Sequence, residues 1–161
     1  MAIIKKSDII KSGNVQIPAN RYGLRVKEAV FGPSKSSGAS MITLNCEIFR
    51  PAILETDEGK FNIDGTRVTH YISFSEKAVG RSIETLEKLG ITIPEEFDTD
   101  NFDVTPLQGL KFNARLDSEP RTARQKPKPG QKVGDPILDD NGAPIISGWD
   151  VRITDIYDVI P

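Results

Sequence analysis

Two long segments in which apolar and polar residues alternate constrain the fold more than any other feature of this chain. They are Tyr22–Phe31 and Met41–Phe49. Successive side chains of a β-strand point to opposite faces of a sheet, so this alternation predicts two half-buried strands. The connection Gly32–Gly38 is rich in Gly, Ser and Pro, which predicts that the two strands form a hairpin. The side chains predicted to face the core are Tyr22, Leu24, Val26, Val30, Ile42, Leu44, Cys46 and Ile48.

A third alternating segment, Arg67–Phe74, is followed by a change to helical spacing. Apolar residues three or four positions apart form one face of an amphipathic helix. Ser75 and Glu76 are the predicted helix cap, and Gly90 is the predicted end. The apolar face of this helix consists of Val79, Ile83, Leu86 and Leu89.

Two further strands are predicted after the helix, at Leu110–Leu116 and Trp149–Ile153. Pro51–Gly65 and Ile91–Pro106 are polar and irregular, and are predicted to be connections. Three strands, a helix and two strands is the element order of the OB fold. We therefore predict a mainly β protein with an OB-fold-like, five-stranded, partly open barrel and one helix between strands three and four. Other small barrels share this order.

Length and composition predict one domain. The chain has 161 residues, of which 37% are hydrophobic and 27% charged, as in ordinary soluble domains. Residues 1–20, with a turn-rich Ser12–Asn14, are predicted to be a lead-in segment that holds at most one short strand. The barrel domain is predicted to cover residues 21–161, with a basic loop at 118–147.

The chain also carries signals about its compartment. Its only cysteine is Cys46, which excludes an intramolecular disulfide and a cysteine zinc cluster and favours a reducing compartment. No apolar run approaches the ~20 residues of a membrane span, and the N-terminus lacks the apolar stretch of a signal peptide. The expected location is the cytoplasm, or the host cytoplasm for a viral protein, with no membrane partner.

The segment Arg121–Lys132 is the strongest charge signal. It carries five cations and no acid in a chain with a net charge of −2. Such a segment favours an anionic partner, with nucleic acid as the first candidate, because phosphate contacts come mainly from Lys and Arg. The competing interpretation is a solvated, flexible loop without a partner. The candidate DNA-binding residues in this loop are Arg121, Arg124, Lys126, Lys128 and Lys132.

Cations and aromatic side chains also occupy the predicted outward faces of the strands. Binding of single-stranded DNA needs both, because cations contact the backbone and rings stack on bases. For Phe31 and Phe49 the alternative is that each ring covers a neighbouring helix or loop, and for Arg25 and Lys27 that they solvate an exposed face. The candidates on the strands and the first hairpin are Arg25, Lys27, Phe31, Lys35, Phe49, Arg67, Tyr71, Lys111 and Arg115.

The sequence offers little support for catalysis. His70 is the only histidine and lies on the same strand face as Val68 and Ile72, so it is predicted to be a core or rim residue. Cys46 alternates with apolar residues and is predicted to be a small core residue. The acidic run Asp98–Asp103 lacks the glycine and glutamate of a calcium loop. We therefore predict no enzyme activity, no catalytic or metal-binding residue and no cofactor.

The layout of several segments resembles that of phage-encoded single-stranded DNA-binding proteins with an OB fold. The resemblance implies sequence-tolerant binding of single-stranded DNA in phage DNA replication or recombination, without catalysis. It implies single-stranded DNA and replication or recombination proteins as partners, and self-association is left open. The chain departs from many such proteins at its C-terminus, which has only two acids in its last eight residues. The segments that carry the resemblance are Arg21–Val26, Pro33–Gly38, Met41–Ile48, Leu86–Gly90 and Leu107–Lys111.

Two other classes of function remain as alternatives. A virion or tail structural protein uses a small β-barrel as an assembly module and needs no combination of cations and rings on one face. A metal-dependent nuclease needs clustered carboxylates, whereas the acids of this chain are scattered among predicted loops.

Overall fold

A computed structural model describes residues 3, 5, 9–12, 15–35 and 37–161. Within these ranges the protein is mainly β, with eight strands in two sheets and one α-helix. Gly13 and Asn14 of the predicted lead-in turn, and Ser36 of the predicted hairpin loop, lie outside the described residues. The elements are β1 (Ile10–Lys11), β2 (Asn20–Pro33), β3 (Ser40–Arg50), β4 (Ile53–Thr56), β5 (Gly59–Asn62), β6 (Arg67–Ser73), α1 (Val79–Lys88), a 3-10 helix (Thr105–Leu107), β7 (Lys111–Thr122) and β8 (Ile146–Val159).

The larger sheet has five strands in the order β6-β3-β2-β7-β8, and every neighbouring pair is antiparallel. The predicted β2–β3 hairpin is confirmed, and its turn is closed by the Ser34 amide, which donates to the Ala39 carbonyl at 2.7 Å. In the described part of the chain, the edge strands β6 and β8 are not hydrogen-bonded to each other. Both line one cavity together with α1, so the helix covers the gap between the two edges.

One face of this sheet forms the core. The predicted alternation of β3, β6 and β7 is confirmed, because inward and outward side chains differ in burial at every second position. Burial of these aliphatic and aromatic side chains stabilises the sheet and fixes its register, because a slip by one residue would turn them all to water. The inward side chains of these strands are Ile42, Leu44, Cys46, Ile48, Val68, Ile72, Phe112, Ala114 and Leu116.

The faces predicted for the end of β2 are wrong. Val30, predicted to be inward, is 44% exposed, whereas Ala29 is buried. Phe31, predicted to be outward, packs against the core with its ring 6.3 Å from that of Phe74. The cause is a β-bulge at Lys27, since β2 shifts register against β3 between Val26 and Glu28. One extra residue in a strand reverses the facing of all residues after it.

The helix lies between β6 and β7 and is shorter at its start than predicted. Ala78, not Ser75, occupies the N-cap position, and the Ser75 carbonyl accepts the amides of Ala78 and Val79. Gly90 follows the helix with a φ of 81°, a left-handed conformation that favours glycine. Leu86 and Leu89 are buried as predicted. Within the residues that the structure describes, no helix is long and apolar enough to span a membrane.

The predicted connection Pro51–Gly65 instead contains the hairpin β4–β5. β1, in the predicted lead-in segment, pairs with β5 in parallel and completes a three-stranded sheet. The Lys11 ammonium donates to the Glu58 carbonyl at 2.8 Å at the turn of this hairpin. Neither Ile53–Thr56 nor Gly59–Asn62 shows a strict alternation of apolar and polar residues, which explains why sequence periodicity missed these strands.

The predicted basic loop at 118–147 is wrong at both ends. β7 runs on to Thr122 and β8 begins at Ile146, so the true connection is 123–145. We call residues 118–150 the arm. Its outer part is held by backbone hydrogen bonds, in which Ala123 donates to the Ile145 carbonyl and Gln125 donates to the Asp135 carbonyl. The end of β7 is polar on both faces, and the start of β8, Ile146–Gly148, is too short to show the alternation that predicts a strand.

Candidate nucleic-acid interface

The outward faces of β2, β3 and β6 form one surface, which we call the outward face. Its side chains are ordered in rows by the strand register, because directly opposed residues of neighbouring antiparallel strands lie side by side. Tyr71 on β6 lies opposite Thr43, and Arg67 lies opposite Glu47. On the other side of β3, Arg25 of β2 is paired with Glu47. The register therefore brings Arg25 and Arg67 to the two sides of one carboxylate.

Three cations meet around that carboxylate, and we call Arg25, Lys27, Glu47 and Arg67 the Glu47 cluster. The Arg25 guanidinium contacts the Glu47 carboxylate directly, and the Lys27 ammonium lies 3.8 Å from it. The hydrogen bond from Arg25, together with the charges of Lys27 and Arg67, holds the pKa of Glu47 below its usual value. Three cations and one carboxylate leave a local excess of positive charge. The prediction that Arg25, Lys27 and Arg67 share an outward face is confirmed.

Sequence reasoning missed Glu47. Glu47 occupies an outward position of β3, as Asn45 and Phe49 do, and this position was the one signal of its role in the sequence. Its pairing with cations of two different strands depends on register, which a single segment does not reveal. Composition alone does not reveal that this surface has one carboxylate among three cations.

A shallow groove of about 680 Å³ lies on the outward face beside Tyr71. We call it the Tyr71 groove, lined by Val30, Lys35, Met41, Thr43 and Tyr71 among others. The Tyr71 side chain is 60% exposed, as its predicted outward position requires. The bulge at Lys27 turns Val30 into this groove and adds an apolar wall. The groove offers an exposed ring and apolar contacts, with the Lys35 residue of the β2–β3 turn at its border.

Phe49 and Lys111 lie on the same side of the sheet as the Tyr71 groove. Phe49 is near the opposite end of β3 from Thr43, which pairs with Tyr71. The Lys111 ammonium is 5.4 Å from the centre of the Phe49 ring, and the Arg50 guanidinium is 5.7 Å from it. The ring covers the backbone of Gly23, where an added Cβ would come within 3.2 Å of it. Phe49 is therefore half-buried between two cations and the sheet, which favours the interpretation that its ring covers a neighbouring element.

Three cations of the arm have acidic or backbone partners. Arg121 pairs with Asp150 at 2.8 Å, and Lys128 lies 3.7 Å from Asp135. Arg124 donates to the Gly134 carbonyl at 3.1 Å. The three acceptors come from residues seven or more positions away in the sequence, so a count of local charge overestimates the free positive charge of the arm. The remaining predicted cations, Arg115, Lys126 and Lys132, are exposed.

The cations of the arm and Lys35 of the β2–β3 turn lie beyond opposite ends of β2. Arg25 pairs with Lys111 and Asn20 pairs with Leu116, so β7 continues past the first residue of β2 into the arm. The β2–β3 turn with Lys35 follows the last residue of β2. The 14 residues of β2 span roughly 40 Å at ~3.3 Å per residue. A ligand that contacts both the arm and Lys35 must therefore extend over about the length of β2.

His70 and Cys46 lie on the inward side. Burial lowers the pKa of His70, whose side chain lines the cavity beneath α1. Burial raises the pKa of the Cys46 thiol to about 12, so this thiol is not a nucleophile at neutral pH. Over the described ranges, no three His, Cys, Asp or Glu side chains are grouped so as to hold a metal ion.

Comparisons with known proteins assign this chain to no family. No protein-family model matches the chain, and a search of curated proteins finds no significantly similar sequence. The functional argument therefore depends on the geometry and charges of the outward face.

Proposed function

We propose that this protein binds single-stranded DNA without strong sequence preference and acts in phage DNA replication or recombination. The observation that carries the proposal is the combination, on one outward face, of the Glu47 cluster and the Tyr71 groove. Cations that follow a phosphate backbone and exposed rings on which bases stack are the two requirements for such binding. Neither element reads the edges of particular bases, which supports sequence tolerance.

The sheet order supports an OB-like interpretation of the fold. β2, β3 and β6 are consecutive neighbours in the five-stranded sheet, and β7 returns to lie beside β2. This is a Greek-key connection, and a five-stranded Greek-key barrel with partly open edges is the OB architecture. In that architecture the face of strands two and three, here β3 and β6, binds oligonucleotides together with the loops after strands one and four. These loops are the β2–β3 turn and the arm.

The proposed action involves binding only, with no covalent step. Phosphates are attracted to the cations of the outward face, and one base stacks on Tyr71. Contacts of this kind are sensitive to salt, because each phosphate that is neutralised releases a counterion. We therefore propose a protein that is not an enzyme and that covers exposed single strands.

A titration of labelled single-stranded oligonucleotide against a duplex of equal length tests this function. We expect saturable binding of the single strand at micromolar protein or below, weaker binding of the duplex, and a linear fall of log affinity with log salt. Equal affinity for both forms, or no binding at low salt, would contradict the proposal.

A specific observation favours the alternative of a structural protein that assembles with other chains. The arm exposes several aliphatic side chains, and exposed apolar surface is typical of contact sites between proteins. Sedimentation of the free protein, together with the oligonucleotide titration, distinguishes the two functions, because an assembly module associates without DNA and binds no single strand. The exposed aliphatic residues of the arm are Val133, Ile137, Leu138, Ile145 and Ile146.

A further inference from the structure

The Glu47 cluster has a geometry that simple cationic surfaces lack. The bulge at Lys27 places Lys27 and Glu28 on the outward face in succession, whereas a regular strand would turn one of them inward. Alternation alone turns Lys27 to the same face as Arg25, beside the same carboxylate, so the residue that the bulge adds to this face is Glu28. Bulges commonly re-aim side chains next to functional sites.

Within this cluster the carboxylate lies deeper than the cations. The Glu47 side chain is 17% exposed, whereas those of Arg25 and Lys27 are 42% and 59% exposed. Lys27, Glu47 and Arg67 all line one open cavity of about 600 Å³. A ligand that enters this cavity from solvent therefore meets the cations and the exposed Glu28 before it meets the Glu47 carboxylate.

One carboxylate cannot satisfy the hydrogen-bonding capacity of three cations. An arginine guanidinium carries five N–H donors and a lysine ammonium three, while a carboxylate has about four acceptor positions. The lowered pKa of Glu47 means that the carboxylate stays ionised and reduces the repulsion among the cations. The cations are thus held together by Glu47 and still have donors that point to solvent.

We propose that Arg25, Lys27 and Arg67 form a phosphate-binding subsite and that Glu47 is its resident counter-anion, which a nucleic-acid phosphate partly displaces on binding. This inference rests on the proposed function, because it assigns a role within the same surface. The carboxylate pre-positions the cations but competes with the phosphate for them. Glu47 therefore limits affinity and makes release of the strand easier.

The substitution Glu47→Gln tests the role of the carboxylate, because it keeps the shape of the side chain and removes its charge. We expect single-stranded DNA to bind about three- to tenfold more tightly at low salt, with a salt slope steeper by about 0.7 for each additional phosphate contact. Glu28→Gln is the matched control. Glu28 lines the same cavity, and among the residues described it has no ion-pair partner. Its removal changes the net charge equally but releases no cation.

The outcomes separate this inference from the proposed function. Tighter binding by Glu47→Gln than by Glu28→Gln supports the counter-anion role, whereas equal gains, no gain or a loss for Glu47→Gln would overturn it. Thermal unfolding of each variant identifies a loss of binding that comes from a loss of fold.

A second titration, with inorganic phosphate and monitored by the side-chain NMR signals of Arg25 and Arg67, does not depend on DNA. We expect saturable shifts at lower phosphate concentration in Glu47→Gln than in the wild-type protein. If these shifts appear while no variant binds oligonucleotide, the subsite is supported and the proposed function is wrong. If phosphate perturbs both proteins equally, the subsite is wrong even if DNA binds elsewhere.

Discussion

The outward face and the arm are both rich in cations, but the two regions differ in how their charges are arranged. On the outward face, the Glu47 carboxylate of β3 is shared by two cations of β2 and one of β6, so positive charge remains in excess around it. In the arm, Arg121 and Lys128 each have an aspartate of their own, Asp150 and Asp135. The comparison teaches that a run of cations in sequence is a weaker indicator of a binding surface than cations of different strands that share a face. The following predictions test this difference.

The largest expected effect concerns the inward face of β6. Ile72→Ala removes a buried side chain behind the outward face, and we expect the free energy of unfolding to fall by ~2–5 kcal/mol. The fall combines lost burial with a cavity that the sheet cannot fill. Denaturant unfolding measures it, and Ile72→Val, expected to cost only ~0.5–1.5 kcal/mol, is the matched control. A small effect of Ile72→Ala would mean that the faces of β6 are inverted.

The adjacent residue, Tyr71, is expected to affect binding and not stability. Tyr71→Ala removes the exposed ring of the Tyr71 groove, and loss of a stacking ring typically costs ~1–3 kcal/mol of binding. We expect about tenfold weaker binding of single-stranded DNA, with stability unchanged to within about 0.5 kcal/mol. Fluorescence anisotropy measures the affinity. Tyr157→Ala, which removes a partly exposed ring from β8 outside the Tyr71 groove, should leave the affinity nearly unchanged.

The double change Arg124→Ala and Lys126→Ala tests the arm directly. If both side chains contact phosphates, the slope of log affinity against log salt should become less steep by about 1.4, since each contact contributes about 0.7. Binding should weaken alike for all sequences. Lys77→Ala with Arg81→Ala removes the same charge from exposed positions at α1 and serves as the control. An unchanged slope in the arm variant would leave the outward face as the only binding surface of the two.

The smallest expected effect comes from His70, which lies on the inward side of the strand that carries Tyr71. Burial lowers the pKa of His70 in the folded protein, so the unfolded chain takes up a proton first as the pH falls. Stability should therefore be constant above about pH 7.5 and decline as the pH falls through ~6.5, by at most ~1.4 kcal/mol per unit, until the folded protein is also protonated. Urea unfolding between pH 8 and 5.5 measures this decline. The variant His70→Gln should lack it, and a decline that persists in this variant would assign it to another group.

The sequence by itself determined the strands that bury one complete face. Alternation in Met41–Phe49 and Arg67–Phe74 was enough to predict which side chains are inward, because burial of one face permits a single register. For the same reason, the outward positions of Arg25, Lys27, Arg67 and Tyr71 were predictable. The helix and its end at Gly90 followed equally from local periodicity and from the conformational freedom of glycine.

Only the tertiary structure decided the features that depend on contacts between distant segments. The bulge at Lys27, which turns Phe31 inward and Val30 outward, forms between β2 and β3. The successive charged residues Lys27 and Glu28 interrupt the alternation of β2, but they do not by themselves specify how β2 pairs with β3. The partners of Arg121 and Lys128 come from elsewhere in the chain, so their neutralisation was invisible in a local count of charge. The place of Glu47 among three cations likewise needs two registers at once. Periodicity reports how one segment divides between core and water, whereas charge pairing is decided by which segments become neighbours.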